Sequence, residues 1–170
     1  MSVSANELKT LTQLEALLNT TIPDFQWSGH INLRLERIRA LVELLGDPRS
    51  RYPTVHVGGT SGKGTVAAMI ASILSHDGKR TGLHLSPDVQ TLTETWQLDG
   101  SYILPSRVLP VARHVTAAAQ SVAATSILGP VSYFEIKVAT AFQLFSDEHV
   151  DFGIVEVGLD GERDATNVIG

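Results

Sequence analysis

The sequence predicts an α/β protein, a parallel β-sheet flanked by helices, and three observations carry that prediction. A β-branched run, Thr54 to Val57, enters a glycine-rich turn, a helical pattern leaves it, and a second strand-like run spans Arg80 to Leu85. Strand, helix and strand in that order make a βαβ unit, whose crossover forces parallel pairing. Asp151 to Leu159 is a near-continuous apolar run, the pattern of a strand covered on both faces. Apolar stripes at helical spacing fill the stretches around these strands.

Composition bounds the answer. A chain of 170 residues can bury a real core, and one domain, residues 1–170, is expected. A hydrophobic fraction of 43% with 18% charged residues is ordinary for a globular protein. The net charge of −5 offers no basic stripe for nucleic acid, so no nucleic-acid partner is expected. No apolar run approaches the roughly 20 residues of a membrane span, and no signal pattern opens the chain. Without cysteine there is neither a disulfide framework nor a thiolate metal site. A cytoplasmic monomer follows as the default. No internal repeat appears, and His56 in its strand reads as a core histidine.

In chain order, residues 4 to 19 form an amphipathic helix, with Ser4 and Glu7 at capping-box spacing and Leu8, Leu11, Leu14, Leu17 and Leu18 as its stripe. Thr20 to Gly29 is a loop. A second helix runs from Asn32 to Leu45, with Leu35, Ile38, Leu41, Val42 and Leu45 on one face and Gly46 and Pro48 as its stop. The stretch Thr54 to Thr65 organises the chain. Four glycines (Gly58, Gly59, Gly62, Gly64) let the backbone take φ > 0 and turn its N–H groups inward, and the helix starting near Gly64 aims its N-terminus at the same spot. Lys63 adds a mobile charge for phosphate oxygens and Thr65 a hydroxyl for a magnesium ion. The spacing G-x-x-x-x-G-K-[ST] is not met, because Gly64 separates Lys63 from Thr65 and Gly58 to Gly62 is one residue short. The turn is thus P-loop NTPase-like in its parts but altered. The helix continues to Asp77 with Val66, Met69, Ile70, Ile73 and Leu74 inward.

Beyond Ser86-Pro87, Glu94 to Ile103 reads as a hairpin with a type I′ turn at Asp99-Gly100. Leu104 to Ala124 is a helix with a small-residue face, and Pro110 fits only in its first turn, which makes Ser106 the N-cap. Ser132 and Glu135 form a capping box for a helix through Phe145. Glu156, inside the last strand, is the anomaly. A buried carboxylate needs a cation or a metal, so it is read as either a metal ligand or the partner of Lys63 or an arginine.

These segments resemble the folate branch of the Mur ligase family, the folylpolyglutamate and dihydrofolate synthases. Val57 to Thr65 is similar to the family's G-T-N-G-K-G-[ST] loop, with Ser61 for Asn. Ser86-Pro87-Asp88 resembles its Ser-Pro-His, with Asp88 for His. Glu94 and Gly100 match a stretch where arginines are common and Thr93 and Thr95 stand instead. Ser132 to Glu135 resembles Thr-Tyr-Phe-Glu. Glu156-Val157-Gly158-Leu159 and Asp164 to Val168 match Glu-Val-Gly-Leu and Asp-Ala-Thr-Asn-Val, with Asp160, Glu162 and Arg163 as departures. Leu44 to Pro48 is similar to a Leu-Gly-Asn-Pro turn; some members contact the pterin near the start of that helix, so Ile31 to Leu33 reads either as such a contact or as an ordinary helix entry.

The resemblance implies the Mur ligase central domain and an ATP-dependent ligase joining L-glutamate to dihydropteroate or a folate through an acyl phosphate. It implies ATP held by Gly59, Thr60, Ser61, Gly62, Lys63, Gly64 and Thr65. Magnesium is implied at Thr65, Ser86 and Glu156, with Lys63 and Glu156 catalytic. Substrate contacts are implied at Asp88, Ser132, Tyr133, Phe134, Glu135, Arg163, Asp164 and Ala165. The chain is less than half the family's length, so it is expected to be the N-terminal portion, incomplete and inactive alone, without the glutamate-binding domain. A P-loop kinase or GTPase, with a carboxylate base near Asp88 or Asp164, and a non-catalytic nucleotide-binding module are the rival readings.

Overall fold

The structure, a computed structural model, describes residues 5–19, 33–125, 127–159 and 161–169. The Ser4 cap, the loop 20–29, the helix entry at Ile31-Asn32 and the Asp160 departure lie outside the described residues. The elements are α1 (Ala5–Asn19), α2 (Leu33–Leu44), β1 (Thr54–Val57), α3 (Lys63–His76), β2 (Thr81–His84), β3 (Trp96–Leu98), β4 (Ser101–Tyr102), α4 (Pro105–Thr125), α5 (Tyr133–Asp147) and β5 (Phe152–Glu156). One-turn 3₁₀ helices precede β1 (Pro48–Arg51) and β3 (Leu92–Thr95).

The described strands form one sheet in the order β1-β5-β2-β3-β4. The β1-α3-β2 unit leaves a gap one strand wide, and β5 fills it, parallel to both neighbours. The hairpin then extends the sheet antiparallel from β2. Its turn takes left-handed φ at both central residues, +48° at Asp99 and +74° at Gly100, as a type I′ turn requires. Asp99 also accepts the Thr81 N–H at 2.7 Å, which ties the turn to the start of β2.

Alternation divides the sheet's side chains between two layers. Val57, Leu83 and Ile154 face α3. On the opposite face α5 covers the sheet, α4 packs on α5, and α1 and α2 close the outer layer. Contact there is close: a Cβ on Gly82 would lie 2.4 Å from the Phe145 ring, and one on Gly153 2.7 Å from Tyr52. The predicted faces of α1 and α2 are the buried ones, through Leu14 and Leu18 and through Ile38, Leu41 and Val42.

Two expectations need correction. In α3 the line on the sheet is Ala67, Ile70, Ala71 and Leu74, whereas Val66, Met69 and Ile73 are 47%, 59% and 68% exposed. That helix is apolar over most of its circumference, so spacing alone could not choose between adjacent stripes, and the small alanines allow the closest approach. In α4, Pro105 occupies the first helical position, where its missing N–H costs nothing, and Pro110 lies inside the helix. Ser106 is therefore a helical residue and not the cap.

Candidate functional site

The site lies at the carboxyl ends of β1, β5 and β2. After Val57 the backbone passes through Gly59 (φ +145°) and Gly62 (φ +75°), and Gly62 is the N-cap of α3. Only these two of the four glycines use positive φ. The first intrahelical bond runs from Val66 N to Gly62 O at 2.9 Å, so the N–H groups of Lys63, Gly64 and Thr65 point out of the helix end. Lys63 is the first helical residue and half-buried, while Thr60, Ser61 and Thr65 are exposed.

Gly64 has a different reason to be glycine. Its Cα lies against the Glu156 carboxylate, and a Cβ there would stand 3.3 Å from Oε1 and 3.4 Å from Oε2. Glu156 ends β5, the middle one of the three parallel strands, paired in register with Val57, so the topology delivers its side chain between the loops after β1 and β2. The carboxylate is 6% exposed, accepts the Ser86 N–H at 2.9 Å through Oε2, and forms no ion pair among the described residues. The salt bridge to Lys63 or an arginine is thus not formed. Beside it the Ser86 hydroxyl is buried with no hydrogen-bond partner among the described residues. A buried acid without a cation and an orphaned hydroxyl on its own donor are costly unless something else binds there. The donors are oxygens only, and among the described residues no cluster of three acidic or histidine side chains gathers.

The N-terminus of α5 knits the surrounding loops together. Ser132 and Glu135 cap it reciprocally, Ser132 N donating to Glu135 Oε2 at 2.6 Å and Glu135 N to Ser132 Oγ at 3.3 Å. Arg37 of α2 clasps the same carboxylate through Nε at 2.9–3.0 Å. Phe134 presses on Gly158, where a Cβ would fall 2.5 Å from its ring. Tyr133 is half-buried, and its hydroxyl is pushed up to about 12, first by burial and then by the Asp88 and Glu15 carboxylates.

Asp88 pairs with Lys137 of α5. Burial alone would raise the Asp88 carboxyl, but the hydrogen bond and charge of Lys137 outweigh it and hold the group below its ordinary range. Asp164 organises the turn after β5, accepting from Leu159 N (2.6 Å), Thr166 N (2.9 Å) and Thr166 Oγ1 (2.5 Å). His56 reaches the same Thr166 hydroxyl at 2.8 Å; it is half-buried, and burial lowers its pKa against the opposing charge of Asp164. Both aspartates are engaged, so neither stands as the free carboxylate that the kinase or GTPase reading places there. Ala165 is buried and Arg163 is exposed. Thr93 and Thr95, at the arginine-rich positions of the family, are buried at 9% and 0% exposure.

Lys137 and Arg37 were missed by the sequence reading. Lys137 had one available signal, a lysine inside the apolar run Ile136 to Phe142. Arg37 had none, because its partner is 98 residues away.

A glycine-rich strand-to-helix turn, a carboxylate ending the central parallel strand and helices on both faces define an α/β domain with the Mur ligase fold. No protein-family model matches the chain. The dihydrofolate synthase/folylpolyglutamate synthase of Mycobacterium tuberculosis is 38% identical across 96% of this chain and 34% of its own length. That of Bacillus subtilis is 35% identical across 79% of this chain and 31% of its own. A solved Mycobacterium tuberculosis folylpolyglutamate synthase complexed with ADP superposes with a TM-score of 0.86 at 37% identity, over 96% of this chain and 35% of that one. An FPGS–AMPPCP–folate complex superposes with a TM-score of 0.82 at 30% identity, over 93% of this chain and 37% of that one. The chain is related in sequence and fold to the N-terminal portion of the folylpolyglutamate and dihydrofolate synthases, and it spans about a third of the length of the relatives it matches.

Proposed function

We propose that residues 1–170 are the nucleotide-holding N-terminal portion of a Mur-ligase-type domain in an ATP-dependent ligase that joins L-glutamate to the carboxylate of dihydropteroate or a folate. The observation that carries this reading is the convergence at Glu156. A buried carboxylate without a cation touches the phosphate loop at Gly64, and its donor Ser86 keeps an orphaned hydroxyl. Solved relatives crystallised with ADP, AMPPCP and folate support the same assignment.

In this reading the backbone from Gly59 to Thr65 cradles the phosphates, and Lys63 offsets charge that develops on the transferred phosphoryl group. Thr65, Ser86 and Glu156 would hold magnesium, a hard cation that takes oxygen ligands and keeps several waters. When bound, the ion would supply neutralisation of phosphate charge. Asp88, Tyr133, Phe134, Arg163 and Ala165 belong to the wall facing the acceptor, and Ser132, Glu135 and Asp164 fix its shape through the bonds described above. The acceptor carboxylate attacks the γ-phosphorus, the P–O bond to ADP breaks, and the glutamate amine displaces phosphate from the resulting acyl phosphate.

Calorimetric titration of the chain with ATP, with and without magnesium, tests the nucleotide part. Binding strengthened at least tenfold by magnesium is expected. Affinity indifferent to magnesium refutes the metal assignment, and no binding at all refutes the phosphate cradle.

A further inference from the structure

We propose that Lys137 is a positioning residue: through its ion pair with Asp88 it holds the segment 86–91, and with it Ser86, against Glu156. The inference deepens the ligase reading and rests on it for its consequence, though not for its geometry.

The segment between Ser86 and Thr91 has neither helix nor strand to fix it. Among the described contacts that hold it, three bear on the site. Ser86 N donates to Glu156, which is the contact at the site itself. Val89, Gln90 and Thr91 donate their N–H groups to the Glu94 carboxylate, a local arrangement spanning three to five residues and open to solvent. Solvent screening makes that anchor weak. Among the described residues, the Asp88 pair ties the segment to the helical layer on the other side of the sheet.

Lys137 suits that task because it is rigidly mounted. Its side chain is 3% exposed, so its ammonium needs an acceptor there. The ammonium stands 5.2 Å from the centroid of the Tyr133 ring, which confines it from a second side. Its backbone carbonyl accepts the indole N–H of the fully buried Trp96 at 3.1 Å, fixing this turn of α5 against β3. A cation so confined loses little further entropy when it grips a loop carboxylate. Asp88, 29% exposed and two residues from Ser86, therefore transmits the position of α5 to the site. The departure from the family's histidine at position 88 is matched by a lysine that answers its charge.

Hydrogen exchange and calorimetry on the full chain test this. Lys137→Met keeps the length of the stem and removes the ammonium. The double variant Asp88→Asn/Lys137→Met leaves neither charge of the pair without its partner and guards against a failure to fold. Both are expected to speed amide exchange at Ser86, Val89 and Gln90 at least tenfold, with Leu83 and Ile154 at wild-type rates. Both should lower magnesium-dependent ATP affinity about tenfold and leave magnesium-free affinity unchanged. A merely stabilising ion pair would lower the melting temperature and leave native exchange at Ser86 and the magnesium dependence alone; that pattern overturns the proposal, as does an equal loss of affinity with and without magnesium. If the wild-type chain itself shows no magnesium-dependent binding, the ligase reading fails, and the exchange rates at Ser86 still decide whether Lys137 holds the segment.

Discussion

Gly64→Ala should raise stability and lower binding, and the opposite signs make it a sharp test of the site. Gly64 is the second residue of α3 and does not take positive φ, so alanine meets no backbone strain. Replacing a helical glycine by alanine gains up to about 1 kcal/mol, less near a helix end, so a few tenths to about 1 kcal/mol is expected here. In a chain of this size that raises Tm by roughly 1–4 °C. The new methyl, however, arrives 3.3 Å from Oε1 and 3.4 Å from Oε2 of Glu156, closer than a carboxylate oxygen and a methyl group comfortably sit. The carboxylate must give way by a few tenths of an ångström. It is 6% exposed and bonded to Ser86 N, so it has little room to do so without disturbing that bond. Magnesium demands near-ideal octahedral geometry at about 2.0–2.1 Å, and a ligand displaced by that much should weaken magnesium-dependent ATP binding about tenfold, or about 1.4 kcal/mol. Differential scanning calorimetry reads the first effect and titration calorimetry, with and without magnesium, the second. A variant that is at least as stable and binds magnesium-ATP as tightly as wild type would show that the contact between Gly64 and Glu156 has no part in binding.

Four further outcomes are expected. Lys63→Ala should abolish measurable ATP binding with little loss of stability, since the side chain is only half-buried and forms no described ion pair; unchanged affinity would make it a bystander. Glu156→Gln should lose the magnesium-dependent part of ATP affinity and keep the magnesium-free part, and equal losses would point to a purely structural role. The chain as given should form no amide from ATP, magnesium, dihydropteroate and labelled glutamate by mass spectrometry, because it spans a third of its relatives and positioning the amine supplies roughly 7–11 kcal/mol of such a barrier. His84 is fully buried, and burial, then the Lys137 charge, brings it to about 4. Since its folded pKa lies below the ordinary 6.5, the unfolded chain takes up its proton first, and about 3 kcal/mol of stability should disappear as pH falls from 6.5 to 4. Urea unfolding across that range, compared with His84→Phe, should show a flatter profile in the variant.

What the sequence made legible follows from the range of the interactions involved. The hairpin turn, the α5 capping box and the glycine-rich loop are local, each encoded within one short run of residues, and all appear where their residues predict. Glu156 was identifiable because a carboxylate in an apolar strand is expensive wherever the strand lies. The choice of stripe on α3 was not legible, because it depends on how closely alanines let the helix approach strands from three parts of the chain. The same holds for the Asp88–Lys137 pair, 49 residues apart. Asp88 read alone stands as a substrate contact or as the neighbourhood of a carboxylate base, and only its partner reveals that its charge is paired. Gly64 shows the distinction within one motif. Read from the sequence, it is one of four glycines freeing the backbone; in the fold its φ is ordinary, and its missing side chain makes room for Glu156.

The loads on α5 explain how a helix outside the glycine-rich loop should still govern the site. Its first turn is fixed to α2 through Arg37 and Glu135, its second to β3 through the Lys137 carbonyl and Trp96, and its last turns to the sheet through Phe145 on Gly82. From that mounting it reaches the β2 loop through Lys137 and Asp88 and the β5 loop through Phe134 on Gly158. Those two loops carry Ser86 and follow Glu156, so their separation is set by the span from Phe134 to Lys137, three residues on one face of a helix. A distance fixed by helix geometry varies little, whereas two loops braced only by each other would drift together. Substitutions of Phe134 or Lys137 should therefore change affinity through the spacing of Ser86 and Glu156.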